Sequence, residues 1–299
     1  MLPSMTCLTP GGSQRLGVGD QDIGAIFDVF QKVPNTNFQT SVYVFSVHPS
    51  TGVVHFAFGR KVPAGTRVPF GWQSKNRGAN PATAPATILQ GAAGTDRKWH
   101  GKWASLGGGA DRKATTPLVA AIMELNDEAA IKPAFDPNKE VYVPWVAGPV
   151  SQTATHRLVL VSADQPNKNK RFYSFVFKMP NWNEFLKFFP HVDDRVNVRG
   201  GQALVTASHG EIDYTASFSP EDIAKYQNIA LASSPPVNFF TSYTLATLKS
   251  HAIQAAAVEV RKMGGSLVNV TAIQSLTILR DVDPRKSSGW RNPPGMRYF

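Results

Sequence analysis

The chain has 299 residues, 42% hydrophobic and 17% charged, a composition of globular proteins. Its single cysteine, Cys7, excludes an internal disulfide framework and a cysteine-based zinc site, and no run approaches the roughly 18 apolar residues of a membrane span. Thirty-one Lys+Arg against 21 Asp+Glu give a net charge of +10, which draws polyanions such as nucleic acid or nucleotides.

The start, up to Asp20, has no apolar signal core. An intracellular protein is expected, cytoplasmic, with a mitochondrial location as the alternative suggested by the Ser, Thr and Arg15 of this segment. Residues 1–35 show no sustained period and read as an N-terminal extension. Residues 41–47 and 53–58 are β-branched and aromatic, and His48-Pro49-Ser50-Thr51-Gly52 joins them, which predicts a hairpin. Residues 62–98 hold four prolines and read as a long loop or insertion. Basic residues interleave there with Trp72, and Arg60 and Lys61 precede it. Such a pattern suits a nucleic-acid strand or a nucleotide base; a solvated loop pinned by its tryptophans is the plain alternative.

A helix is predicted at about 116–130, where Thr116-Pro117 supplies a cap and a first-turn proline. Further strands are expected at 140–148, 155–162 and 171–179. Ser219-Pro220-Glu221-Asp222 reads as a helix start. A longer helix is expected from about 242 to Met263, stopped by Gly264-Gly265, and a last strand within 266–279. The expected organisation is an extension over 1–35, one domain over 36–263, and a strand with a basic tail over 264–299. Strands and helices mix without strict alternation, so the fold class is α/β or α+β with a mixed sheet.

The chemistry is concentrated in residues 102–131. Gly107, Gly108 and Gly109 form a loop whose backbone can approach a ligand closely. In the helix that follows, Leu118, Ile122, Leu125 and Ala129 share one face. Glu124, Asp127 and Glu128, at i, i+3 and i+4, share the opposite one. Three like charges on one turn repel; a hard divalent cation would neutralise them, and an exposed acidic face is the alternative. The seven histidines show no metal-ligand spacing.

Glycine loop, capped helix and acidic turn together resemble the Nudix box, G-x5-E-x7-R-E-U-x-E-E-x-G-U. Aligned without a gap from Gly109, the pattern keeps Gly109, Glu124, Leu125, Glu128 and Ile131, with Asp127 for one Glu. Thr115 and Met123 replace its first Glu and its Arg, and Ala130 replaces its second Gly. Trp103 and Leu106 match the approach to the box often seen in the family.

The resemblance implies a Nudix-like α/β/α sandwich with a mixed sheet. It implies Mg²⁺ or Mn²⁺ held by Glu124, Asp127, Glu128 and the Gly109 carbonyl, with Glu124 and Glu128 catalytic. The Glu–Arg pair that braces the family's loop is absent here. The family draws a further acid from a later loop, for which Glu211, Asp213 and Glu184 are candidates. Arg60, Lys61, Trp72, Lys102 and Glu211 are candidates for binding substrate. The implied activity is pyrophosphohydrolysis of a nucleoside-diphosphate-linked substrate, and the basic surface favours an RNA 5′ end, a cap or triphosphate. The alternatives are an inactive Nudix-fold protein that binds RNA or nucleotides within a protein assembly, and a structural protein whose acidic turn is only a helix face.

Overall fold

The β-branched and aromatic runs read from the sequence become the middle of a mixed sheet. In the computed structural model, residues 5–9, 12–16, 38–63, 67–69, 86–88, 97–108, 117–129, 158–165, 170–179, 181–194, 199–201, 204, 208, 211–253, 256–257, 260 and 270–281 are described. Its strands are β1 (Met5–Thr9), β2 (Gly12–Leu16), β3 (Phe38–Val47), β4 (Val54–Lys61), β5 (Arg67–Pro69), β6 (Ala86–Ile88), β7 (Trp103–Ala104), β8 (Leu158–Gln165), β9 (Lys170–Lys178), β10 (Arg199–Gly200) and β11 (Ile212–Phe218). Nine of them form one sheet in the order β10-β11-β4-β3-β9-β8-β1-β2, with β7 on β4; β5 and β6 pair separately. β3 runs parallel to β9 and antiparallel to β4, and β1 runs parallel to β8. The stretch expected to be an extension therefore supplies two strands. The insertion contributes the β5–β6 pair and a short 3₁₀ turn at Arg97–Trp99.

The predicted hairpin forms. Its turn closes through the His48 N–H to the Val53 carbonyl (2.8 Å) and the Gly52 N–H to the His48 carbonyl (2.9 Å). Gly52 takes φ +68°, a left-handed conformation that glycine adopts without strain. Along the central strands successive side chains alternate between the two faces. Tyr43, Phe45, Phe56, Phe58 and Phe218 point into one cluster that also holds Ile223, Phe239, Phe240 and Leu245. Their rings meet edge-on; Phe58 lies 5.6 Å from Phe218 and 5.1 Å from Phe240.

The helices are α1 (Pro117–Ala129), α2 (Trp182–Phe188), α3 (Pro220–Leu231), α4 (Ser242–Thr247) and α5 (Val270–Gln274). The α1 helix packs on β3, β9 and β11, burying Ala120, Ala121, Leu125 and Ala129. Leu125 and Ala129 lie on the face read from the sequence, while the Thr116 cap lies outside the described residues. Ser219 caps α3 as predicted: its side chain accepts from the Asp222 N–H, and the Asp222 carboxylate accepts from the Ser219 N–H. The helix expected from 242 begins at Ser242 but passes into a π-helical turn over Leu248–Ala252.

The strand expected within 266–279 is instead α5 followed by an irregular segment. Its β-branched residues suggested a strand, but α5 packs beside α3 and buries Ile273 in the main cluster, so tertiary packing overrides local preference. The strand expected at 140–148 lies outside the described residues. Among the described residues no helix is long and apolar enough to cross a membrane.

Candidate metal centre

The acidic turn of α1 faces the end of β4, and strand alternation explains why. Arg60 and Lys61 are neighbours on β4, so their side chains leave opposite faces of the sheet. Lys61 turns toward α1; its Nζ donates to Glu128 Oε1 at 2.5 Å and reaches Glu211 Oε2 at 3.5 Å. Glu211 stands just before β11, whose Ile212 pairs with Lys61. The topology thus brings together the helix acids, a later-loop acid and one buried lysine. Glu124, Asp127 and Glu128 come from one helical turn; Glu211 arrives from more than 80 residues away in the sequence.

The glycine loop completes the site from the other side. Its backbone is anchored to β3 by the Thr40 N–H (2.8 Å) and hydroxyl (3.2 Å), which both donate to the Gly108 carbonyl, and by the Val42 N–H donating to Leu106. The Gly107 N–H then donates to Glu128 Oε2 at 2.5 Å. At Gly108 an added Cβ would lie 2.5 Å from Glu124 Oε1 and would displace that carboxylate. These contacts hold the loop against β3 and α1. Met123 is half-buried, and Thr115 lies outside the described residues.

Gly107 is the more constrained of the two glycines. It has φ +126°, and a Cβ there would meet the Thr40 carbonyl oxygen at 2.4 Å. The Gly107→Ala variant is expected to lose about 1–3 kcal/mol or more, read as a lower midpoint in denaturant unfolding. Unchanged stability would show that the loop does not hold this conformation.

The electrostatics follow from four carboxylates around one ammonium. Burial raises the Glu124 carboxyl well above its usual range, and Glu128 and Glu211 add to the rise. Burial also pushes Glu128 up to about 7, against the lowering by Lys61 and the Gly107 N–H. Burial alone would lower Lys61, but Glu128 and Glu211 outweigh it and hold the ammonium charged. A raised carboxyl pKa means that the folded state binds more protons than the unfolded state. That contribution to stability is present below about pH 4.5 and is lost as pH rises through about 7. With no divalent cation added, the melting temperature should fall over this window less steeply in Glu124→Gln than in the wild type. Parallel curves would contradict the placement of Glu124 among like charges.

The donor set tests what the site can hold. All four acids offer oxygen ligands, the preference of a hard divalent cation. Glu128, however, already has one oxygen on Lys61 and the other on Gly107. The set expected from the box counted Glu128 as a ligand; Glu124, Asp127 and Glu211 are the other carboxylates around it. Gly109, the expected carbonyl ligand, lies outside the described residues, as does Trp72.

Arg60 and Lys102, expected to contact substrate, both lie in buried ion pairs. Arg60 is buried in a two-point pair with Asp213, Nε to Oδ1 at 2.9 Å and Nη2 to Oδ2 at 2.6 Å, and its guanidinium lies 4.5 Å from the Tyr214 ring centre. A β-bulge causes this: Ile212 pairs with Lys61 and Tyr214 with Arg60, so Asp213 is the extra residue, re-aimed toward Arg60. Lys102 is also buried, its Nζ 2.5 Å from Asp281 Oδ1. Neither cation faces the acidic site. Lys61 does reach it, but as an internal counter-charge. Glu184 lies in the first turn of α2, where its N–H is capped by Asn181. The sequence did not single out Gly107 and Gly108 individually, although their glycine run marked the loop.

Comparison with known proteins adds little at the level of sequence. No family model matches the chain, and no curated protein matches it. Among solved structures the chain is similar to a mutT/nudix family protein from Listeria innocua. The two share 13% identity over 78% of this chain and 98% of that one, with a TM-score of 0.34. It is also similar to RenU, a Nudix hydrolase from M. smegmatis, at 12% identity over 50% of this chain and 64% of that one, with a TM-score of 0.25. At these scores neither likeness bears on function, which has to be read from the site itself.

Proposed function

We propose that the cluster of Glu124, Asp127, Glu128, Glu211 and Lys61 is the centre of a divalent-cation-dependent pyrophosphohydrolase on a Nudix-like α/β/α sandwich. The observation that carries this reading is the arrival of Glu211 beside the acidic turn of α1. Mg²⁺ or Mn²⁺ would be held by Glu124, Asp127 and Glu211. Such a cation, when bound, neutralises a pyrophosphate and polarises its phosphorus. Glu128 holds Lys61 and Gly107 in place. The net charge of +10 supports an anionic polymer as substrate, an RNA 5′ end before a free nucleotide.

A second reading has its own observation. Lys61 already neutralises Glu128 from within the chain, which favours a protein that binds phosphorylated RNA or nucleotides in an assembly without cleaving them.

The deciding experiment incubates the wild type and Glu124→Gln/Glu211→Gln with capped RNA, triphosphorylated RNA and dinucleoside polyphosphates, with Mg²⁺ or Mn²⁺. Metal-dependent cleavage of the pyrophosphate, lost in the double variant, is the expected result. Salt-sensitive RNA binding without cleavage, unchanged in the double variant, would leave the binding reading in place.

A further inference from the structure

A second cluster of metal-ligating side chains lies at the other end of β4, six residues and therefore about 20 Å from Lys61. His55 comes from β4, His191 from the segment after α2, and Asp222 from the first turn of α3. One ligand atom from each lies within 4.8 Å of the others. His191 Nε2 is 3.0 Å from Asp222 Oδ2, and the His55 and His191 ring centres are 5.3 Å apart. His55 is only 8% exposed, and its Nδ1 is buried with no hydrogen-bond partner. A buried imidazole nitrogen without a partner is costly, and the packing of the strand gives it no donor. Ser217 of β11, which pairs with Ala57 and so lies on the same face of the sheet as His55, also has a buried hydroxyl without a partner.

We propose that His55, His191 and Asp222 form a binding site for a divalent transition ion of the zinc class. Two imidazoles and one carboxylate are borderline ligands that select zinc-like ions over magnesium. Three protein ligands leave the fourth position to water, reached past His191, whose side chain is 34% exposed. The surrounding contacts orient the set as outer-shell groups do. The Ser219 N–H (2.8 Å) and hydroxyl (2.6 Å) both donate to Asp222 Oδ2, which fixes the carboxylate. Trp182 packs edge-on against His55, with ring centres 5.0 Å apart. A neutral His55 carries its ring proton on one nitrogen and keeps the other to coordinate. Ion binding requires the three ligand atoms to settle about 2.0–2.1 Å from the ion. At His191 Nε2 it moves the ring proton to Nδ1, which releases the exposed 3.2 Å contact from the Asp193 N–H.

The test uses the full chain, stripped with a chelator and titrated with Zn²⁺ by calorimetry and with Co²⁺ by visible absorption. The wild type is expected to bind one equivalent tightly, with a Co²⁺ ligand-field band of a nitrogen–oxygen site. His191→Asn, at a half-exposed position, should keep the fold by circular dichroism and lose at least about 100-fold in affinity. His55→Gln should lose as much. Glu124→Gln/Glu211→Gln should retain the tight site, which separates it from the acidic pocket. The proposal is overturned if the wild type takes up no tight equivalent, if His191→Asn binds as the wild type does, or if the tight site disappears only with the α1 and β11 acids.

Discussion

Lys61→Met is expected to destabilise the protein by about 3–5 kcal/mol near pH 8 and to make it strongly responsive to divalent cations. The lysine is buried, 7% exposed, and sits against Glu128 and within reach of Glu211. Its removal leaves Glu124, Glu128 and Glu211 facing one another without their internal counter-charge. Methionine keeps the volume of the stem, so the loss reports charge rather than a cavity. At pH 5 the penalty should shrink, because burial and mutual repulsion already favour protonated carboxyls. Mn²⁺ should restore stability, by about 2.7 kcal/mol when present at a hundredfold its Kd. Denaturant unfolding at pH 5 and pH 8, with and without Mn²⁺, measures all three effects. A variant as stable as the wild type at pH 8, or one indifferent to Mn²⁺, would sink the idea that Lys61 supplies a counter-charge that a cation can replace.

The Arg60–Asp213 pair gives the second large effect. Asp213→Ala should cost about 3–5 kcal/mol, because the guanidinium stays buried after its carboxylate is gone. The double variant Arg60→Met/Asp213→Val should recover most of that loss, since well-packed apolar residues often replace a buried ion pair at little cost. Glu211→Gln should change stability far less than Asp213→Ala, while weakening Mn²⁺ binding. The contrast matters because Glu211 and Asp213 were equal candidates for the later acid. One residue on each side of Ile212, they take opposite roles. The bulge at Asp213 turns it to Arg60, and Glu211 remains beside α1. Equal stability losses in Asp213→Ala and Glu211→Gln would contradict that division.

The regular part of this architecture was legible in the sequence because it depends on local periodicity. The aromatic and β-branched runs gave β3, β4 and β9. Ser219-Pro220 gave the start of α3, and the glycine run with the acidic turn gave the loop and helix of the candidate site. The spacing of Glu124, Asp127 and Glu128 placed them on one helical turn, since three and four residues return to the same face.

Pairing decided the rest. A short β-rich segment reads alike whether it ends as a strand or packs as a helix, and α5 became a helix because α3 offered its apolar side. Residues 5–16 join the sheet through β8, and nothing within their own composition announces that partner.

The chemistry of single residues depended on pairing still more. Strand alternation told that Arg60 and Lys61 face opposite ways, but not which one meets α1. Only the register of β11, with its extra residue, settled that Asp213 takes the arginine and Glu211 nears the lysine. The histidines lacked metal spacing because His55, His191 and Asp222 reside on three separate elements. By itself the sequence determined which residues carry charge and which local faces they share. Tertiary structure decided which charges are neutralised inside the chain, because burial, register and distance set the energy of a charge, and none of these is a local property.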